Sequence, residues 1–385
     1  MVKRIGVIGG GQLAQMLVQA AAEMPEVELI VQAANANESA AMVTDNLIFG
    51  DINNLEVTKQ LVQQSDVVTF ENEFVDLDAL QSLADARACF YPRLDSLRPL
   101  LDKYDQRQYF ANLGLPVPQF AIAKNESSTY GFPVVLKARR HGYDGQGTHI
   151  VKTEEALADL IRSAPPETFL IEEYIPFERE LAVMAARSVS GEVAIFPVVE
   201  TVQVDEVCRH VFAPAEIRSV VAETVSETAT TLLNALDMVG IIGIEFFLTS
   251  DGQVLINEIA PRTHNSGHYT IDACNVSQFE MHLRAISDLP LPTPVLKSQG
   301  AVMVNLLGYE SAIADYQAQR DQLAKLGAQV TWYGKAEARP GRKLGHATTL
   351  MNTASRSVCV NSAQIIENHW YKKSARYIKF SKEIN

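Results

Sequence analysis

Fourteen residues, "EFFLTSDGQVLINE" from Glu245 to Glu258, restrict the fold more than any other stretch of this chain. Two apolar runs of strand character flank Asp251-Gly252, the preferred pair for a two-residue type I′ hairpin turn. With that turn Ser250 pairs with Gln253, and counting outward sets Glu245 directly opposite Glu258 on one face of the sheet. Like charges so placed destabilise a sheet, and the pair therefore needs something cationic between its members. A hard cation with oxygen ligands meets that need: Mg2+ typically takes one or two carboxylates plus substrate phosphates, and Mn2+ suits the same donors. The alternatives are a salt bridge to one glutamate with the other solvated, or a different register about the turn.

Groups elsewhere in the chain suit such a site. Lys137, in the strand-like "FPVVLKARR", could bring a point charge to a phosphate. The glycine-rich "GYDGQG", Gly142 to Gly147, would present backbone N–H groups from a loop, as an anion lid does. Alone, Lys137 reads as a surface lysine and the loop as a hairpin tip; with two carboxylates they describe a pocket for ATP and magnesium. Only a local basic cluster can hold an anion here, because 33 Lys and Arg against 46 Asp and Glu leave a net charge of −13. That balance opposes non-specific attachment to nucleic acid or anionic lipid.

A chain of 385 residues exceeds what one core comfortably organises. Residues 1–98 alternate strand-like runs ("RIGVIG", "VELIVQAA", "NLIFGD", "DVVTFENE") with helical stretches, which predicts a Rossmann-like parallel α/β domain. Its turn "GGGQLA" fits G-x-G-x-x-A. A dinucleotide site would also want an acidic residue ending the second strand, where Gln32, Ala33, Ala34 and Asn35 stand instead, so a phosphate or packing role for Gly9 to Gly11 is the better reading. Residues 99–290 begin with a helix broken at Gly114 and continue rich in strands, including two strands around Ser190-Gly191 and a helix at about 219–238. "DLPLPTPV" then leads into a smaller unit, 291–385, expected to be mostly β. The four cysteines lie far apart with no paired spacing, and no window of about 18 uninterrupted apolar residues occurs, so a cytoplasmic protein with reduced thiols and no membrane span is expected.

The order of strand lysine, glycine-rich loop, "IEEYI" and two glutamates ending in "NE" resembles the ATP-grasp superfamily. Within it, "GGGQL", "GYDGQG", "NEIAPRTHNSGH" and "RPGRKLGH" in this order resemble the 5-(carboxyamino)imidazole ribonucleotide synthetases, from about residue 4 to about residue 350. The resemblance implies an ATP-grasp fold of mixed α/β and α+β class and an ATP-dependent ligase of purine biosynthesis. Bicarbonate would be phosphorylated to carboxyphosphate, which carboxylates the exocyclic amine of aminoimidazole ribonucleotide. It implies a homodimer with small-molecule substrates. By the same resemblance Lys137 would contact phosphates, Lys103 would lie in the nucleotide site, and Gly142, Tyr143, Asp144, Gly145, Gln146 and Gly147 would form the lid, with Asp144 facing the carboxyphosphate. Glu172, Glu173, Tyr174 and Ile175 would form the adenine hinge, Glu180 would take the ribose hydroxyls, and Gln203 and Asn257 would lie beside the nucleotide. Glu245 and Glu258 would hold Mg2+.

Arg262, His264, Asn265 and Ser266 follow the second magnesium ligand directly, and the resemblance places them where the carboxyl group meets the ribonucleotide, with Gln12, Leu13 and Glu71 also lining that substrate. Arg262 offers a fork suited to carboxylate or phosphate oxygens. Lys335, Arg342 and Lys343 would bind the ribonucleotide phosphate; without the family pattern they read as a solvated basic turn around Pro340-Gly341. His264 and His268, four apart, could instead ligate a metal, but Gly267 lies between them and no third ligand is evident, and a packing role for His268 is open. This sequence departs from the family at several places. Lys103 and Arg107 stand where Arg and Lys are usual, Gln203 replaces a histidine near the nucleotide, and Ala14 and Gln15 replace Gly and Arg. A formate-using transformylase, another carboxylate–amine ligase of the superfamily, and a nucleotide sensor without turnover are the competing readings.

Overall fold

The computed structural model describes residues 2–123, 128–140, 147–165, 167–204 and 206–371. Its first sheet is parallel, in the order β3-β2-β1-β4, from β1 (Lys3–Ile8), β2 (Val27–Ala33), β3 (Leu47–Phe49) and β4 (Val67–Phe70). Ile5, Val7 and Ile8 of β1 are fully buried, as a strand covered on both faces requires. The helix Gln12–Ala21 packs over β1 through Leu13, Ala14, Met16 and Leu17. Gly9 to Gly11 serve packing at this turn: a Cβ on Gly11 would lie 2.4 Å from an oxygen of Glu71, and one on Gly10 2.4 Å from an oxygen of Glu38.

A second sheet, β5-β8-β6-β7, comprises β5 (Phe120–Ile122), β6 (Val134–Ala138), β7 (Thr148–Val151) and β8 (Phe169–Glu173), all antiparallel. The third has nine strands: β9 (Phe177–Arg187), β10 (Val193–Ile195), β11 (Val199–Val204), β12 (Val207–Ala213), β13 (Gly240–Thr249), β14 (Val254–Ala260), β15 (Gly300–Leu307), β16 (Gln329–Trp332) and β17 (Lys343–Met351). The order is β14-β13-β9-β11-β12-β15-β17-β16, with β10 paired to β9. Where two strands were expected around Ser190-Gly191 there are three, because the chain leaves the ladder at Phe196-Pro197-Val198 and proline has no N–H to pair.

The third sheet runs without interruption across residue 291. β12 of the preceding segment pairs antiparallel with β15, His210 opposite Val304, so β15, β16 and β17 extend a sheet already under way. The helix Arg356–Trp370 then covers β15 with Cys359, Ala363, Ile366 and Trp370. Its Glu367 receives the Arg209 guanidinium at 2.6 Å and His210 at 3.1 Å, which ties this helix back to β12. All four cysteines are free, and among the described residues no helix is long and apolar enough to cross a membrane.

Candidate active site

The hairpin pairs Glu245 with Glu258, though not by the route the turn suggested. A type I′ turn needs positive φ at both central residues. Here Gly252 has φ +88°, and Asp251 is absent from the residues with positive φ. The loop has three residues, 250–252, closed by Thr249 N–H to Gln253 O at 3.0 Å, with the Thr249 hydroxyl donating to Asp251 and accepting from Gln253 N–H. The ladder therefore starts one position out of the expected register, with Phe246 opposite Ile256. A β-bulge at Asn257 adds one residue to β14 and restores the glutamate pair. Ile256 and Ile259 both point into the core, and the bulge turns the two residues between them, Asn257 and Glu258, to the opposite face together. Glu245 and Glu180 share that face, since the alternate residues Ile244, Phe246, Leu181 and Val183 are core.

Sheet two meets this face through Lys137. Its ammonium donates to Asn257 Oδ1 at 2.9 Å and pairs with Glu172 at 2.8 Å. Glu172 also takes the Arg107 guanidinium, and both of those side chains are 2% exposed. Arg107 and Lys103 are four apart on the helix Lys103–Asn112, hence on one face of it, and the Lys103 ammonium lies 2.5 Å from Glu258. Two groups not foreseen from sequence hold this helix in place. Asp102 caps it through Tyr104 N–H at 2.9 Å, and Gln106 exchanges hydrogen bonds with the N–H and C=O of Ile259, beside the bulge. Gln106 looks in sequence like any polar helical residue; only its burial marks it.

Electrostatics separate the carboxylates. Burial, then repulsion from Glu258 and Glu180, pushes Glu245 well above the usual carboxylate range. The Lys103 ammonium, against the cost of burial, holds Glu258 well below it. Burial raises Glu180 to about 7, with Lys137 opposing and Glu258 adding to the rise. Burial also works against the charge of Glu172, but Arg107 and Lys137 together hold it at about 2.

Around this core the expected residues fall into three groups. Arg262 comes to the site with its fork already engaged by Glu73, one nitrogen of the pair at 3.2 Å, and a third nitrogen on Thr263 O. His264 Nε2 lies 3.9 Å from Glu245, and its Nδ1 is 2.9 Å from Ser266 Oγ. Burial and the Arg262 charge lower His264 to about 4, so its ring is neutral. Ser266 is buried and serves His264. Lys335 donates to Gln12 Oε1 at 2.7 Å and to Lys343 O at 2.8 Å, while Glu71 accepts from Leu13 N–H at 3.3 Å, bringing the first glycine turn to the basic one. The Lys343 charge acts on both Glu245 and His264.

Others are placed differently. Glu172 lies inside β8 between Phe120 and Val135, with its side chain anchoring cations, so the exposed Tyr174 and the half-buried Ile175 form the crossing from β8 to β9. Glu173 accepts from Gln119 N–H at 2.8 Å. Gln203 sits at the register shift ending β11, and among the described residues no hydrogen bond joins it to the glutamates. Arg342 donates to Glu337 O at 2.8 Å within its own turn. His268 packs against His346, Phe279 and Tyr333 and faces Gln278, which excludes it as a metal ligand with His264. No group of three or more His, Cys, Asp or Glu among the described residues is arranged to hold a metal. Gly142, Tyr143, Asp144, Gly145 and Gln146 lie outside the described residues; Gly147 accepts from Ala138 N–H at 2.7 Å.

Comparison with known proteins agrees with this layout. Residues 2–99 match the ribonucleotide synthetase preATP-grasp domain, 108–279 the ATP-grasp domain and 301–358 the phosphoribosylaminoimidazole carboxylase C-terminal domain. The chain is 49% identical over 356 residues to the N5-carboxyaminoimidazole ribonucleotide synthase of Synechocystis sp., covering 90% of this chain and 91% of that one. It is 50% identical over 370 residues to that of Synechococcus elongatus, covering 94% and 93%. Among solved structures, the Aspergillus clavatus N5-carboxyaminoimidazole synthase in complex with ADP and 5-aminoimidazole ribonucleotide superposes with a TM-score of 0.87 at 30% identity, over 96% of this chain and 99% of that one. The Thermotoga maritima synthetase gives 0.84 at 38% identity over 95% and 98%. With relatives this similar along nearly its whole length, the chain belongs to the N5-carboxyaminoimidazole ribonucleotide synthase family of ATP-grasp ligases.

Proposed function

We propose that the protein carboxylates 5-aminoimidazole ribonucleotide on its exocyclic amine, using ATP and bicarbonate and releasing ADP and phosphate. The observation that carries this reading is the face on which Glu180, Glu245, Asn257 and Glu258 meet Lys103 and Lys137 from one side and Arg262, His264 and Lys343 from the other. ATP fits the first side. Lys137, oriented by Glu172 and Asn257, would bear on its phosphates, the crossing at Tyr174-Ile175 on its base, and Glu180 on its ribose hydroxyls.

The carboxylate pair fits Mg2+. Glu245 is a half-buried acceptor with no cation bonded to it among the described residues, repelled by Glu258, and two carboxylates with substrate phosphates make an ordinary Mg2+ donor set. Bound there, the ion would neutralise charge on the phosphates. The remaining chemistry belongs to the substrates, held by this chain. A bicarbonate oxygen bonds to the γ-phosphorus as the bond to ADP breaks, giving carboxyphosphate. The amine nitrogen then bonds to the carboxyl carbon, the bond to phosphate breaks, and the nitrogen gives up a proton. Arg262, held by Glu73 and by Thr263 O, and neutral His264 would hold the carboxyl group between the two substrates, and Lys335 and Lys343 would hold the ribonucleotide phosphate.

Product analysis tests the reading directly. Purified protein with ATP, Mg2+, bicarbonate and aminoimidazole ribonucleotide should yield the carboxyamino product and ADP in equal amounts. ADP release that responds to formate or an amino acid, and not to bicarbonate, would identify another ATP-grasp ligase; nucleotide binding with no turnover would identify a sensor.

A further inference from the structure

Asn265 points its amide at a residue that no motif singled out. Asn305, on β15, is fully buried, and the two amides form a closed pair: Asn265 Nδ2 donates to Asn305 Oδ1 at 3.0 Å, and Asn305 Nδ2 donates to Asn265 Oδ1 at 2.7 Å. The second proton of Asn305 Nδ2 goes to the backbone carbonyl of Cys208 on β12, at 3.0 Å. This last bond decides every orientation in the chain of contacts. A carbonyl can only accept, so the nitrogen of Asn305, and not its oxygen, must face Cys208. The same nitrogen then requires the oxygen of Asn265 opposite it. One amide proton and one oxygen lone pair of Asn265 are left over, on a side chain that is only half-buried and lies between Arg262 and His264 on one side and Ser266 on the other.

We infer that Asn305 is a positioning residue for the carboxylation, fixing the Asn265 amide so that one defined donor and one defined acceptor face the ribonucleotide. The inference rests on the reading that residues 262–266 line the second-substrate site. It explains why a fully buried side-chain amide sits in the middle of an otherwise apolar strand, where Val302, Val304 and Leu306 are its neighbours. It also gives the strands beyond residue 291 a part in the chemistry beyond phosphate binding, since β15 and β12 set the orientation jointly across the seam where the two segments of the sheet join.

A double-mutant cycle tests it. Asn305→Ala leaves Asn265 free to rotate, and the Michaelis constant for the ribonucleotide should rise about tenfold, the scale of one oriented hydrogen bond, while that for ATP changes less than about twofold. Asn265→Ala should show a comparable loss, and adding Asn305→Ala to it should change nothing further, because the second residue acts only through the first. Asn305→Asp, of the same shape but without either proton, should reproduce the Asn305→Ala defect and covers the case in which the smaller side chain fails to fold. Additive losses in the cycle, or equal rises for both substrates, would overturn the assignment in favour of a structural role. Wild-type kinetics in both variants would overturn it alone. Absence of the carboxyamino product from the wild-type protein would overturn the functional reading, and this inference with it.

Discussion

Replacing Glu172 by Gln removes the only anion bonded to both Arg107 and Lys137 among the described residues. Holding this carboxyl at about 2 in the folded chain, against 4.5 ordinarily, corresponds to about 3 kcal/mol of stability, and a side chain 2% exposed needs little discount for solvent. Breaking a buried pair by removing one member costs a similar amount, about 3–5 kcal/mol, because the partner is left as an uncompensated charge. If the segment around sheets two and three unfolds as a unit of roughly 200 residues, the melting temperature should fall by about 6–12 °C. The sign of the pH dependence follows from the lowered value. The wild-type stability supplied by Glu172 is complete above about 4.5 and is lost as pH falls towards 2, so the acid limb of the stability curve should be steeper in the wild type than in Glu172→Gln. Adding Arg107→Met should recover part of the loss, since it removes one stranded cation. Thermal denaturation monitored by circular dichroism at neutral and acid pH is the assay. A Glu172→Gln protein melting within about 2 °C of wild type would refute the reasoning, because the cluster would then contribute no more than a surface pair.

Glu258→Gln should lower kcat/KM for ATP by at least about a hundredfold, roughly 3 kcal/mol, with a smaller fall in melting temperature than Glu172→Gln, since its pair with Lys103 is more exposed and its loss also relieves the repulsion on Glu245; near-normal turnover at saturating Mg2+ would discard the two-carboxylate site. Glu180, raised to about 7, binds a proton in the free protein as pH falls through that value, so if its carboxylate accepts the ribose hydroxyls, ADP affinity should weaken below about pH 7 by no more than about tenfold per unit and Glu180→Gln should flatten the profile. Calorimetric titrations at several pH values decide that point. Lys343→Ala should raise the Michaelis constant for the ribonucleotide about ten- to a hundredfold and that for ATP little; equal rises would move the basic turn into the nucleotide pocket or the fold.

Much of the chemistry was legible in residue order, because its carriers sit at element ends and turns with recognisable local signals. The parallel sheet of residues 3–70 follows from alternating apolar runs, the hairpin from Asp251-Gly252, and the strand position of Lys137 from its apolar neighbours. Even so, the Glu245–Glu258 pairing came out of a count that was off by one twice, with the three-residue loop and the bulge cancelling. Neither is written locally: the loop length depends on the Thr249 hydroxyl, and the bulge on what packs beneath Ile256 and Ile259.

What tertiary structure alone decided is partnership across long sequence separations. Lys103 meets Glu258 and Lys137 meets Asn257 only because the helix 103–112 and sheet two close over the third sheet. Arg262, read as a substrate fork, arrives already gripped by Glu73 from the first domain. Gln106, Asn305 and Glu367 carry no motif, yet each satisfies buried groups on another element. The physical reason is the range of the forces involved. Backbone sterics and apolar periodicity act over a few residues and leave their mark in the sequence, whereas the orientation of a buried charge or amide is set by whichever distant donor or acceptor folding brings within about 3 Å of it.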